Sequence, residues 1–189
     1  MSINIALFAS GSGSNAENIV HYFSHNPYFI FPLIISNKLD AFVHTRAKNL
    51  EIPSFTFSRE DFSQGDKILE LLKLYNIDSI VLAGFLLKIP QTLILAYPQK
   101  IINIHPALLP KHGGKGMYGM RVHEAVAENR DIESGITIHY VNSNYDEGNI
   151  IFQATCPVLP TDTPEMIADK VHKLEYEHFP KVIEKIWGE

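Results

Sequence analysis

Short runs that are apolar or β-branched almost throughout alternate along the chain with longer stretches whose apolar positions recur at helical spacing. Ile3-Phe8 predicts a first strand, and Asn15 to Phe23 a helix carrying Ile19, Val20 and Phe23 on one face. Phe29-Ile35 predicts the second strand, Ala41 to Leu50 a helix, and Ser54-Phe57 a short strand. A helix from Gly65 to Tyr75 leads to strands at Ser79-Ala83 and Ile101-Ile104, with a short helix after Pro90 between them. Unbroken runs such as Ile80-Val81-Leu82 suit strands covered on both faces. The alternation predicts βαβ units, right-handed crossovers and a doubly wound, mostly parallel sheet of the α/β class.

After His105 the pattern changes. Residues 106–120 carry prolines and four glycines (Gly113, Gly114, Gly116 and Gly119), which predicts a mobile loop. A helix follows from Arg121 to Glu128. Gly135-Val141 alternates, and Ile150-Val158 follows it through a polar link, Asn142 to Asn149. The pair predicts an antiparallel hairpin at the C-terminal sheet edge. Pro164 opens a last helix, with Thr161, Asp162 and Thr163 as capping candidates. No repeat or linker interrupts the pattern, so residues 1–189 are expected to form a single domain.

Composition adds exclusions. At 189 residues, 46% hydrophobic and 20% charged, the chain has the make-up of a folded globular domain rather than a disordered one. A chain of this length buries roughly 70% of its unfolded surface and needs no disulfide or metal staple. The net charge of -5 argues against a protein that coats nucleic acid, while leaving room for a local pocket that holds one small phosphorylated molecule. The single cysteine, Cys156, precludes an internal disulfide, and its apolar setting predicts a buried, inert thiol. The opening residues read as a core strand rather than a signal peptide, and no apolar run approaches the ~20 residues needed to span a bilayer. A cytoplasmic protein without membrane contact is expected.

Gly11-Ser12-Gly13-Ser14-Asn15 joins the first strand to the first helix. In a doubly wound sheet that turn lies at the carboxyl ends of the strands, where ligands bind. Glycines let backbone N–H groups approach an anion, and a helix N-terminus adds unsatisfied donors; Ser14 and Asn15 would add side-chain donors. A monophosphate site is one reading. With Ala16 the segment also fits a dinucleotide fingerprint, but that reading wants an acidic residue after the second strand. Asp40, the nearest one, is expected to belong to the following helix. A tight turn capped by Ser or Asn is the third reading.

Asn103-Ile104-His105-Pro106 ends a predicted parallel strand, so Asn103 and His105 share a face and emerge at the ligand edge. Histidine suits proton transfer near neutral pH, and an Asn amide can donate to a developing oxyanion. From spacing alone a structural histidine serves equally well. Asp146, in the polar link of the hairpin, reads locally as a turn residue.

These segments together resemble the phosphoribosylglycinamide formyltransferases, small folate-dependent enzymes of purine synthesis. The resemblance spans nearly the whole chain. It rests on Gly11-Ser12-Gly13-Ser14-Asn15, on Leu82-Ala83-Gly84-Phe85, on Asn103-Ile104-His105-Pro106-Ala107-Leu108-Leu109-Pro110, and on Gly135 to Val141 running into Asp146. It implies a Rossmann-like formyltransferase fold and transfer of the formyl group of 10-formyltetrahydrofolate to the amine of 5-phosphoribosylglycinamide. It further implies Asn103, His105 and Asp146 as the catalytic trio, with a protonated His105 stabilising the oxyanion and Asp146 orienting it. The ribonucleotide would meet Gly13, Ser14, Asn15, Ala16, Glu17, His172 and Glu175. The folate would meet Arg59, Phe85, Leu86, Leu87, Lys88, Ile89, Asn103, and Asn142, Ser143, Asn144, Tyr145 and Asp146. No metal is implied; the partners are small molecules, not nucleic acid or membrane, and the enzyme would be a monomer or homodimer.

This chain departs from the family pattern in two places. Leu87 stands where a basic residue is frequent, with Lys88 displaced by one. Lys111 to Arg121 is longer and richer in glycine than usual. Other classes leave partial signals: His105, His139 and Asp146 have the composition of a metal hydrolase set, whereas His21 and His25 lack the Glu of a zinc-protease signature. Formylation of an initiator tRNA or a nucleotide sugar, hydrolysis of the formylfolate, and a binding-only folate or nucleotide sensor are the remaining alternatives.

Overall fold

A computed structural model describes residues 2–188. In chain order the elements are β1 (Ile3–Phe8), α1 (Ser14–Tyr22), β2 (Phe29–Ser36), α2 (Val43–Asn49), β3 (Ser54–Thr56), α3 (Arg59–Gln64), α4 (Asp66–Leu74), β4 (Ser79–Leu82), α5 (Gln91–Ala96), β5 (Ile101–His105), α6 (Met120–Glu128), β6 (Glu133–Tyr140), β7 (Ile150–Pro157) and α7 (Pro164–Trp187). The strands form one seven-stranded sheet in the order β3-β2-β1-β4-β5-β6-β7. Neighbours from β3 to β5 are parallel; β5–β6 and β6–β7 are antiparallel. The hairpin expected at the C-terminal edge is therefore β6–β7.

The unbroken apolar runs have a simple cause. Successive residues of a strand face opposite sides, and both sides here are covered. Ile5 and Leu7 of β1 join one core layer, packed with α1, α2, α6 and α7. Ala6 and Phe8 join the other, against α3, α4 and α5. All four are fully buried. The last helix brings Ile167, Val171, Phe179 and Ile183 to the first layer, where it packs on α1, α6, β6 and β7. Full burial of such a side chain is worth about 1.5–3 kcal/mol, so α7 is integral to the core.

Local chemistry sets the helix starts. Thr163 caps α7 by accepting from Met166 N at 3.3 Å, with Pro164 in the first turn. Asp162 instead receives Leu159 N at 2.8 Å and the Lys170 ammonium. Helix α3 was not expected from apolar spacing, because Phe62 is its only buried residue. Its start carries a capping box, with Asp61 N donating to Ser58 Oγ at 3.1 Å and Ser58 N to Asp61 Oδ2 at 3.0 Å. Asp40 lies in the exposed turn ahead of α2 rather than within that helix. Cys156 is a buried free thiol on β7, and burial pushes its pKa up, as an inert role requires.

Candidate active site

The strand order reverses direction between β1 and β4, and a cleft opens at their carboxyl ends. Ser10, just past β1, holds the edges of this opening together. Its N–H donates to Gly84 O at 3.0 Å and its hydroxyl to Asn37 Oδ1 at 2.5 Å, while Leu86 N donates to Ser10 Oγ at 2.9 Å. The cleft has two lobes that share Arg59, Leu86, Leu87, Lys115 and Tyr145, with cavity volumes of about 750 and 500 Å³.

The larger lobe runs from the Gly11–Asn15 turn to the end of β5. Gly13, not a Ser or Asn side chain, stands at the N-cap of α1, with φ +74°. A Cβ there would lie 2.3 Å from Val43 Cγ2, so glycine is required by the contact of α1 with α2 as well as by the turn. The first helical bond is Glu17 N to Gly13 O at 3.0 Å, leaving the preceding amides without intrahelical partners. One N–H of the Asn15 amide is taken by the cleft wall: Nδ2 donates to Glu175 Oε2 at 3.0 Å. The same oxygen meets His172 Nδ1 at 2.9 Å, and that bond raises the His172 pKa. Asn15, His172 and Glu175 thus form one end wall joining α1 to α7. Ala16 is fully buried in the core and Glu17 is paired with Arg46, so neither side chain lines the cleft.

Asn103, His105 and Asp146 meet at the β5 end of this lobe. Asp146 Oδ2 lies 3.6 Å from His105 Nδ1, and Oδ1 lies 3.7 Å from His139 Nε2. Gly114 N donates to Asp146 Oδ2 at 2.9 Å. His105 Nε2 lies 2.8 Å from the carbonyl oxygen of His112. A carbonyl only accepts, so Nε2 carries a hydrogen and Nδ1, facing Asp146, is where a second proton comes and goes. The same logic orders His139: Nδ1 donates to Tyr140 O at 2.9 Å, so Nε2 accepts from Asn103 Nδ2 at 3.1 Å. That bond fixes the Asn103 amide and leaves its second N–H free to serve the cleft.

The electrostatics change one expectation. Burial holds His105 below the ordinary imidazole range; Asp146 pulls it up but does not win, with the His112 carbonyl also raising it and His139 lowering it. Burial therefore favours the neutral imidazole at rest, whereas the resemblance implies a protonated one as the oxyanion forms. Burial alone would raise Asp146, but His139, His105 and the Gly114 amide outweigh it and keep the carboxylate ionised.

The smaller lobe is apolar and rimmed by cations. Leu86, Leu87 and Ile89 line it with Arg59, Lys88 and Lys115, and Ser143 and Tyr145 close one side. Phe85 lines the larger lobe and packs edge-on to Phe8. Leu87 faces both lobes, and displaced Lys88 still reaches the smaller one. Asn142 and Asn144 do not line either lobe: Asn144 N donates to Asn142 Oδ1 at 2.9 Å, shaping the turn that presents Tyr145 and Asp146. The glycine-rich loop lies over the cleft through Gly114 to Gly119. Sequence reasoning missed Ser10, His112, Lys115 and His123 as members or neighbours of the site. His139 was given a role only as a metal ligand, although it lies in the Gly135 to Val141 segment that carries the resemblance. Among the described residues no group of three or more His, Cys, Asp or Glu side chains is placed to hold a metal ion. Among them, no helix is long and apolar enough to cross a membrane.

A doubly wound sheet with a histidine, an amide and a carboxylate converging in a cleft that begins at a glycine-rich turn has the make-up of a group-transfer site, and comparison with known proteins agrees. Residues 3–183 match the family model described as formyl transferase. The chloroplastic phosphoribosylglycinamide formyltransferase of Arabidopsis thaliana is 38% identical over 98% of this chain, which spans 65% of that protein's length. The phosphoribosylglycinamide formyltransferase of Bacillus subtilis is also 38% identical, over 97% of this chain and 94% of its own. Among solved structures, glycinamide ribonucleotide transformylase 1 from Geobacillus kaustophilus superposes with a TM-score of 0.91 at 34% identity, covering 100% of both chains. The chain belongs to the formyl transferase family, in its phosphoribosylglycinamide formyltransferase branch.

Proposed function

We propose that this protein transfers the formyl group of 10-formyltetrahydrofolate to the primary amine of 5-phosphoribosylglycinamide, acting as a single domain on small-molecule substrates in the cytoplasm. The observation that carries the reading is the meeting of Asn103, His105 and Asp146 at the β5 end of the larger lobe. The Gly11–Asn15 turn suits the ribose phosphate, and the wall of His172 and Glu175 suits a substrate amine. The apolar lobe suits a flat pteridine, and Arg59, Lys88 and Lys115 at its rim suit the carboxylates of a folate tail.

Attack of the amine on the formyl carbon forms a C–N bond and a tetrahedral intermediate with an oxyanion and an ammonium. The free N–H of Asn103 donates to the oxyanion, a contact worth about 3 kcal/mol by analogy with acyl transfer. Neutral His105 accepts the ammonium proton at Nδ1, and Asp146 stabilises the imidazolium that results. The proton then passes to the leaving folate nitrogen as its C–N bond breaks. No covalent enzyme intermediate or metal step is required.

The test is incubation with glycinamide ribonucleotide and 10-formyltetrahydrofolate, following deformylated folate with and without the acceptor and with a strong chelator present. Acceptor-dependent turnover that survives the chelator is expected. Folate release independent of the acceptor would indicate a hydrolase and overturn the assignment.

A further inference from the structure

We infer that Asp131, which lies outside the cleft, is a positioning residue for His105 and acts through His112. The inference rests on the proposed role of His105, and its geometry is independent of the substrates. The neutral imidazole must keep its hydrogen on Nε2 if Nδ1 is to be open for a proton. The group that enforces this is the carbonyl of His112, 2.8 Å from Nε2.

That carbonyl points where it does because His112 has φ +54°, in the left-handed region that non-glycine residues seldom occupy. The residues that follow, Gly113 and Gly114, give the backbone no stiffness of their own. The side chain of His112 supplies the restraint. Its Nε2 lies 2.6 Å from Asp131 Oδ2, and both side chains are largely buried. Asp131 also receives the Lys111 ammonium and, at 3.3 Å, Asn129 Nδ2. Its own N–H donates to Val126 O at 3.1 Å, and Val126 is buried in the core. One carboxylate in the turn between α6 and β6 thus fastens two consecutive residues at the stem of the glycine-rich loop. Neither His112 nor Asp131 lines the cleft.

If the clamp is released, the carbonyl swings away and Nε2 loses its acceptor. Asp146 then draws the hydrogen to Nδ1, and the basic lone pair moves to Nε2, which faces His112 outside the cleft lining, so Nδ1 no longer takes the proton of the attacking amine. The other groups that face His105 are His139 on β6, Glu175 on α7 and His123 on α6, and none of them offers Nε2 a replacement carbonyl.

The experiment uses the full chain carrying Asp131→Ala, His112→Gly, both together, or Asp131→Asn. His112→Gly tolerates the same φ without strain and has no ring to anchor, so it serves if Asp131→Ala does not fold. Nitrogen NMR of the His105 imidazole without substrates reads the tautomer. Wild type is expected to hold the Nε2–H form, Asp131→Ala and His112→Gly to mix the two forms, and Asp131→Asn, which keeps an acceptor for His112, to stay near wild type. In turnover, kcat is expected to fall about tenfold or more in each loss variant, with the ribonucleotide KM within about twofold. The double variant is expected to be no worse than either single one, because both break one connection. An unchanged His105 tautomer in folded Asp131→Ala or His112→Gly overturns the inference, as does a loss confined to KM. Absence of formyl transfer by the wild type counts against the proposed function and leaves the NMR result standing.

Discussion

Replacing Asp146 by Asn removes one negative charge from beside His105 while keeping size and an acceptor for Gly114 N–H. At the 3.6 Å separation of Oδ2 and Nδ1, two unit charges attract by about 1 kcal/mol under full water screening and about 5 kcal/mol at an effective dielectric near 20. Both side chains are largely buried, so the value lies inside that range, and the amide dipole recovers part of it. A net loss of about 3 kcal/mol falls on the transition state, in which His105 carries the proton, and corresponds to a rate about 10²-fold lower. The same change lets burial depress the His105 pKa further, since the charge that opposed burial is gone. Loss of activity on acidification, which reports protonation of the base, therefore moves to lower pH in the variant. The ribonucleotide KM is expected to change little, because the Gly11–Asn15 turn proposed for its phosphate lies at the other end of the lobe; the folate KM rises modestly, because the turn that holds Asp146 also presents Tyr145. The assays are a pH profile of kcat and an NMR titration of His105 in both proteins. Near-wild-type turnover with an unmoved histidine titration would refute the reasoning and leave Asp146 a turn residue with φ +55°.

The two glycines of the turn between β1 and α1 are expected to behave differently. At Gly11 a Cβ meets nothing within 4 Å, so Gly11→Val should fold normally and raise the ribonucleotide KM far more than the folate KM, whereas Gly13→Val, colliding with Val43, should lower the melting temperature. Equal weakening of both ligands in Gly11→Val would refute the phosphate assignment. Stability is expected to fall as pH drops from 7 to 5. Burial depresses His105 and His123, so their contributions are complete above the unfolded value of about 6.5 and are lost as pH falls toward the folded values. His172, raised by Glu175, works in the opposite sense, contributing below that value and losing its contribution as pH rises through its folded pKa. Calorimetry on His123→Leu should show a shallower fall, and an unchanged slope would refute the account. Amide hydrogen exchange across Gly114 to Gly119 is expected to slow when both substrates bind, because the loop lies over the cleft; unchanged exchange would make it a passive insertion.

The fold was legible because its signals are local. Strands covered on both faces are apolar almost throughout, as in β2 and β4, and alternation marked β6; all seven were readable to within about two residues at each end. Helix α3 was not, because one buried phenylalanine makes no period, although Ser58 and Asp61 already spelled its cap. The site divides along the same line. Asn103 and His105 are readable since two residues of one strand share a face. Asp146 is 41 positions beyond His105 in the chain, and only a family resemblance joined them. The His112 carbonyl, the Asn103–His139 bond and the diversion of Asn15 to Glu175 were illegible, because each depends on where a distant backbone or side chain comes to rest.

The bond between Asn15 and Glu175 joins residues 160 positions apart. Contacts that close so long a stretch of chain form late and slow folding. A molecule seated in the larger lobe touches the first helix and the last at once, and so works as a reversible staple across that closure. At a hundred times its Kd it would add about 2.7 kcal/mol to the folded state. Where opening is fast relative to cleavage, such a protein is expected to be cleaved faster with the lobe empty, since proteolysis then follows the population of opened chains. Supply of the acceptor would then regulate how much enzyme persists, with no dedicated regulatory site.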